Sequence, residues 1–390
     1  MQSLTIASEV NAVEPANMAV GPVYLTPTVE TSLGYVDNLF RSSDDEKSTG
    51  VSEIKPKLQA WLQNGLNTYS LTVGLADYRY FDSSADDFTD LTLNLDLHHE
   101  FNARNVANVF GEYSKGHEER GTGLAETGIS QQLIFDKPVK LDRTILGGDY
   151  TYGSQLSSGR LKLAAKATDH DYQNFEQYTQ FRSRDLYDYA GTFFWKVAPK
   201  TDLLLEARYA DVQYKKDNPL DRFGSLDSEE YNYFIGAEWA ATAKTSGSIR
   251  LGMFDRQYDS DARQNDDGFS WEADITWQPR SYSSFNFETR RFTQETNGQG
   301  NAVDTKDARL SWNHGWNSRT QTDLSFGGGV EDYTGSARKD DVYTLDAQLS
   351  YALQRWVDLG LGYRWEDRDS SNPFFDYTRN YIFLEAGFSL

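Results

Sequence analysis

Residues 380–390 read NYIFLEAGFSL. Ile382, Leu384, Ala386, Phe388 and Leu390 are apolar at every second position, and Phe383, Glu385, Gly387 and Ser389 lie between them. A period of two describes a strand with two unlike faces. In a water-soluble sandwich the final strand usually sits at an edge, blunted with charge or proline. This stretch is long and greasy, with one Glu and no Pro, so a partner strand is expected for it. In a closed barrel the last strand pairs with the first and the edge disappears.

The composition fits a surface shared between water and lipid. The chain has 390 residues, with 38 Lys+Arg against 59 Asp+Glu, for a formal charge of -21. Mean hydropathy is -0.67, too low for a large dry core. Yet 24 Tyr, 22 Phe and 9 Trp exceed what a disordered acidic chain carries. Abundant Tyr and Trp in a polar chain suit a membrane interface. No run approaches the length of a transmembrane helix. Cys is absent, which removes disulfides, thiolate metal sites and thiol nucleophiles and suits an oxidising compartment. The negative charge, without a basic stripe, excludes nucleic acid as a partner. The start, MQSLTIAS, lacks the basic and apolar regions of a signal peptide. For an exported protein the expectation is that the signal has been removed.

The period of two recurs from residue 23 onward. Leu91, Leu93, Leu95 and Leu97 alternate with polar residues, as do Trp271, Ala273, Ile275 and Trp277. Residues 187–197, 344–353 and 357–365 repeat the pattern, and no convincing helical periodicity interrupts it. Two kinds of joint alternate. Short ones are expected near 63–67, 102–105, 198–201, 241–246, 278–281, 317–320 and 353–356. Longer polar ones are expected at 41–50, 82–87, 115–138, 215–228, 259–268 and 366–373. Short turns on one side and long loops on the other characterise an outer-membrane barrel. The fold class expected is all-β: a transmembrane antiparallel up-and-down β-barrel of about 18 strands over 21–390, both ends periplasmic, after a flexible segment at 1–20. A soluble sandwich or propeller is the alternative, but no blade-length repeat is present.

LGYVDNLF at 33–40, followed by a polar loop, and the closing hairpin DLGLGYRWEDRDSSNPFFDYTRNYIFLEAGFSL at 358–390 carry a family resemblance. They resemble the outer-membrane β-barrel porins associated with exopolysaccharide export loci. The likeness spans about 23–390, with its specific part at the two ends. One departure is the final residue, Leu390, where outer-membrane strands usually end in an aromatic that the barrel-assembly machinery reads. The resemblance implies a bacterial outer-membrane pore for a polymeric sugar, without catalysis or cofactor. It implies as partners the polysaccharide, lipopolysaccharide and outer-membrane lipid, and periplasmic and inner-membrane synthesis and export proteins that supply the energy. General or oligosaccharide uptake is the alternative function, with 115–138 as the loop that would fold inward.

Strand parity assigns a lumen face. Its basic candidates are Lys55, Lys57, Lys162, Lys166, Arg208, Arg250, Arg290, Arg309, Arg364 and Arg379. The acidic ones are Glu30, Asp96, Glu112, Glu206, Glu238, Glu272, Asp274, Glu288, Asp307, Asp346, Asp358 and Glu385. Trp61, Phe110, Phe194, Phe234, Phe254, Tyr377 and Tyr381 are aromatic candidates for stacking on sugar rings. Cross-strand ion pairing that stiffens the wall is the plainer reading of the charges. A basic patch of Arg364, Arg379, Arg290 and Arg309 would suit an acidic polymer unless Glu366, Glu288 and Asp307 neutralise it.

Enzyme signatures are missing: there is no H-E-x-x-H, G-x-S-x-G or phosphate cradle. Asp169-His170-Asp171, near the outer end of a strand, is the one candidate for a hydrolase at the rim. The acidic loops lack a full calcium-binding pattern, so no metal is assigned.

Overall fold

In lipid every backbone N–H and C=O must be paired within the protein, which leaves sheets only the option of closing. The computed structural model, described over residues 17–126, 135–240 and 244–389, closes. Its strands are β1 (Met18–Val20), β2 (Val23–Val36), β3 (Thr49–Asn64), β4 (Asn67–Tyr80), β5 (Phe88–Asn102), β6 (Asn105–Glu118), β7 (Val139–Tyr152), β8 (Gly159–Tyr172), β9 (Arg184–Ala198) and β10 (Thr201–Tyr214). They continue with β11 (Ser228–Trp239), β12 (Thr245–Tyr258), β13 (Asp266–Arg280), β14 (Ser283–Glu295), β15 (Ala302–Gly315), β16 (Thr320–Thr334), β17 (Lys339–Gln354), β18 (Val357–Ser370) and β19 (Tyr377–Ser389). Every strand from β2 to β19 pairs antiparallel with its sequence neighbours, and β19 pairs with β2. The barrel therefore has 18 strands.

The seam runs from Tyr381↔Val36 to Ser389↔Thr28. Below Thr28 the same edge of β2 has no β19 beside it. The short strand β1 turns back at Gly21, whose φ is 63°, and pairs Met18↔Leu25 through Val20↔Val23. It continues the ladder where the seam ends. Residues 18–20 of the segment expected to be flexible are thus part of the sheet, while its first 16 positions lie outside the described residues. Leu390 also lies outside them.

Strands from 12 to 16 residues long exceed the roughly 9–11 needed to cross lipid, so their ends stand clear of it. The outward face is apolar: Leu33, Leu384 and Leu361 lie side by side across β2, β19 and β18, all exposed. Aromatics rim it at both ends. Trp277, Phe285 and Trp312 stack in series near the short turns. Near the loops Tyr189 stacks on Tyr209 and Tyr231 lies tilted beside it, and Glu229 accepts from the Tyr209 and Tyr231 hydroxyls.

The sequence placed several boundaries wrongly. The loop expected at 366–373 lies at 371–376, because β18 continues to Ser370. Glu366, Arg368 and Ser370 face inward and are satisfied by Arg379, Glu126 and Asp340, so a polar strand end reads like a loop. The turn expected at 278–281 lies at 281–282, and β13 begins at Asp266 inside the expected 259–268 loop. The structure adds three outer loops, 173–183, 296–301 and 335–338, and the turn 153–158 to the expected joints. The turn expected at 241–246 falls partly outside the described residues.

The seam gives a stability test. Leu384→Arg places a charge in mid-lipid and should destabilise the reconstituted barrel by about 2–4 kcal/mol in a denaturant titration. Glu385→Gln, one residue on and facing the lumen, should change stability far less. Equal effects would contradict the assignment of faces.

Candidate functional site: lumen and outer mouth

The inner wall is built in layers. Phe234 on β11 lies against Gly252 of β12, where any side chain would collide with its ring. The Arg208 guanidinium stacks 4.8 Å from that ring and forms a two-pronged pair with Glu272 at 2.6 and 2.9 Å. Arg160 covers Phe194 at 4.6 Å and bonds Asp202 at 2.6 Å and Glu238 at 3.0 Å. Arg291 covers Phe254, which lies against Gly268, and bonds Asp304 at 2.6 Å. Phenyl rings lie on the wall, guanidiniums on the rings, and carboxylates on the guanidiniums.

This layering changes the expected role of the aromatics. Phe194, Phe234, Phe254, Tyr377 and Tyr381 are all buried. Tyr381 donates to Glu53 at 2.8 Å, and Tyr377 sits under Arg368. These rings stiffen the wall and present no free face to a sugar. Trp61 and Phe110 are only half-buried; Trp61 stacks on Tyr24 at 4.6 Å.

Nearly all of the expected basic residues lie against an acid. Lys55 pairs with Glu53, Lys162 with Asp149 at 3.5 Å, and Lys166 with Asp188 at 3.0 Å. Arg250 lies 3.6 Å from Glu206, and Arg290 lies 3.4 Å from Asp307. Arg309 and Arg364 share Asp346 at 3.4 and 2.6 Å, and Arg379 holds Glu366 at 3.0 Å. The four arginines of the expected basic patch therefore meet three carboxylates, Asp307, Asp346 and Glu366. Among the described residues Lys57 is the one of these bases with no acid in ion-pair range.

At the outer mouth lies the loop that the sequence offers for an inward fold, 115–138; its partners there are not legible in the sequence. The loop after β6 folds inward. Glu119 meets Arg41 of the β2–β3 loop at 2.7 Å, and Arg120 bonds Asp86 while stacking 4.2 Å over Phe40. Gly121 turns here with φ 90°, and a side chain on it would strike the Phe40 carbonyl. Glu126 then reaches the far side of the ring, where it accepts from Arg338 (2.6 Å), Arg368 (2.7 Å) and Asn297 (2.6 Å). Asp340, fully buried, takes the remaining Arg338 donors and the Ser370 hydroxyl. On the return, Phe135 packs edge-on against Phe175 at 5.0 Å. Residues 127–134 of the loop expected at 115–138 lie outside the described residues.

Two charged groups in the loops show how firmly this seat is held. Burial alone would lower the Arg338 pKa, but hydrogen bonds to Asp340 and Glu126 push it above the ordinary arginine value. Burial would raise the Glu119 carboxyl, but Arg41 and Arg379 hold it down at about 2.

The rim triplet does not form a catalytic pair. Asp169 and His170, as neighbours in β8, point to opposite faces of the sheet. Asp169 is held by Lys215, while His170 stands opposite Arg143 and Arg184. Among the described residues no group of three or more His, Asp or Glu is placed to hold a metal ion.

Residues 11–389 match the family described as "Putative beta-barrel porin 2", and the chain belongs to it. The family is one of porins, which sets the chain in the outer membrane. No protein of curated function matches. Among solved structures, the outer membrane protein OpdK from Pseudomonas aeruginosa aligns over 94% of this chain and 99% of its own, at 11% identity and a TM-score of 0.47. The siderophore receptor PirA from Acinetobacter baumannii aligns over 94% and 80%, at 9% identity and 0.48. At these values the resemblance is one of outline, and nothing about cargo follows.

Two outcomes are expected at the mouth. Glu126→Gln should weaken the loop's hold on the far wall and raise open-state conductance or its fluctuation in single-channel records; unchanged records would refute the seat. The Glu119–Arg41 contribution is complete above the ordinary carboxylate value of 4.5 and is lost as pH falls toward 2. Loop opening by this route should therefore begin only below about pH 4.5 and vanish as a pH-dependent step in Glu119→Gln. A Glu119-dependent step near pH 6 would contradict the assignment.

Proposed function

We propose that this member of the beta-barrel porin 2 family is a passive outer-membrane channel for saccharide, and that its cargo is an exopolysaccharide or fragments of one. The observation that carries the reading is the inner wall. Its charged groups are mostly satisfied by one another, so they offer hydrogen bonds to sugar hydroxyls without deep wells for simple ions. Conduction requires weak binding at many places, and a wall of paired ions, amides and hydroxyls supplies it. In this reading the chain does no chemistry. The driving force comes from the periplasmic and inner-membrane proteins that make and deliver the polymer.

A second reading is uptake of small saccharides, favoured by one feature. The loop from Glu119 to Glu126 spans the outer mouth and is anchored at both sides. A polymer needs that loop displaced, whereas a short oligosaccharide needs only the space beside it.

Single-channel conductance in a planar bilayer separates these. Export predicts that long exopolysaccharide fragments added from the periplasmic side block current reversibly, and that Glu126→Gln strengthens the block. Uptake predicts that only short oligosaccharides block, from the outer side. A large current indifferent to every saccharide would refute both in favour of a general porin.

A further inference from the structure

Ion pairs cancel most of the charge on the wall, Arg309 and Arg364 sharing Asp346, but the groups left over are mainly acidic. Among the described residues, and of the twelve acidic residues that strand parity puts on the wall, Glu30, Asp96, Asp274, Glu288, Asp358 and Glu385 have no Lys, Arg or His within ion-pair distance, whereas of the ten basic ones so assigned only Lys57 has no acid. Paired charges cancel at a distance, so the unpaired remainder fixes the sign of the field in the channel.

The placement of these carboxylates matters as much as their number. Glu30, Asp96, Asp274 and Glu288 lie near the middle of β2, β5, β13 and β14. Within the ring β5 and β13 stand on nearly opposite walls. Glu30, Asp96 and Asp274 are exposed to the lumen. Asp274 and Glu288 face each other directly in the β13–β14 ladder. Like charges opposed across a ladder destabilise a sheet unless a counter-ion sits near them. Arg309, opposite Glu288 on its other side, is directed away to Asp346, Ser325 and Thr344. Glu385 and Asp358 extend the negative lining toward the periplasmic end at the seam, flanking Gly387.

We infer that the channel is cation-selective, and that the saccharide it passes is not an anionic one: a polymer bearing free amino groups binds the wall most strongly, a neutral one less, and a polyuronate least. Unpaired carboxylates on both walls attract mobile cations and repel anions, the arrangement of acidic rings in cation channels. A polyuronate brings a carboxylate with each sugar, so repulsion accumulates along its length. An amino-sugar polymer supplies ammonium groups to the acids that lack partners. The saccharide half of this inference rests on the proposed function; the selectivity half does not.

The test uses the full-length protein in a bilayer of uncharged lipid, with a KCl gradient around 0.1 M so that charges are screened only beyond roughly 10 Å. The reversal potential should report potassium permeating several-fold better than chloride. Glu30→Gln/Asp96→Asn/Asp274→Asn/Glu288→Gln should bring the ratio close to parity, and Lys57→Gln should raise it. Asp96→Asn and Asp274→Asn as single changes should each move it part of the way, which keeps the test available if the fourfold variant fails to assemble. Chloride preference, or a ratio unmoved by all of these, overturns the inference. In the second arm, glucosamine oligomers should block at the lowest concentration, cello-oligosaccharides at a higher one and oligogalacturonate at the highest. The fourfold variant should erase the advantage of glucosamine over the neutral sugar. Strongest block by oligogalacturonate overturns the inference. Cation selectivity with no block by any saccharide upholds the field and refutes the saccharide reading alone.

Discussion

Backbone pairing inside lipid constrains this molecule more than any side chain does. An unpaired amide in hydrocarbon costs several kcal/mol, so a sheet there has to close on itself. The pairing of Tyr381–Ser389 with Thr28–Val36 is the last link of that ring. Once it forms, each strand owes its alternation to the two solvents on either side of it. The outward residues meet acyl chains and are apolar. The inward ones meet water and one another. The small strand Met18–Val20 follows from the same rule, since it completes the ladder where β19 stops.

Closure leaves a second problem, which is the filling of a wide polar interior. The barrel answers it in two ways. Along the wall, rings lie flat on neighbouring backbone, as Phe234 does on Gly252, and arginines lie flat on the rings. At the outer mouth, loop residues add partners to the charges gathered there. Arg368 and Arg338 find Glu126, and Glu366 finds Arg41 as well as Arg379. The buried apolar clusters lie at this same end, around Val36, Leu39 and Tyr80, and around Phe135 and Val139. A buried charge network of this kind is costly to break by removing one member, because the others stay buried. It therefore holds the loop in one seat.

What was legible in the sequence was whatever had a period. Leu91 to Leu97 and Ile382 to Phe388 gave away two lipid-facing strands, and parity then put Arg208, Arg309 and Arg364 on the inner wall. Parity could not say which acid each would meet, because that depends on register between strands; the sharing of Asp346 by Arg309 and Arg364 is visible only in the folded sheet. Nor could it show that Phe194, Phe234 and Phe254 lie beneath arginines. Glu126 was less visible still. It sits in a loop without pattern, and its partners Arg338 and Arg368 are more than two hundred residues away. The misplaced end of β18 has the same origin: Glu366 and Arg368 look like loop residues until their partners are known.

The loop after β6 is seated across the outer mouth against the far wall. The chain contains no cysteine, so two introduced thiols can be spin-labelled without background. Thr122→Cys on the loop and Ser336→Cys beside Arg338 on the far side form the pair. Pulsed dipolar spectroscopy of this pair, with the barrel in lipid nanodiscs at neutral pH, measures the seat directly. A single short and narrow distance distribution is the outcome this account expects. A broad distribution, or one centred at the width of the open barrel, would contradict it.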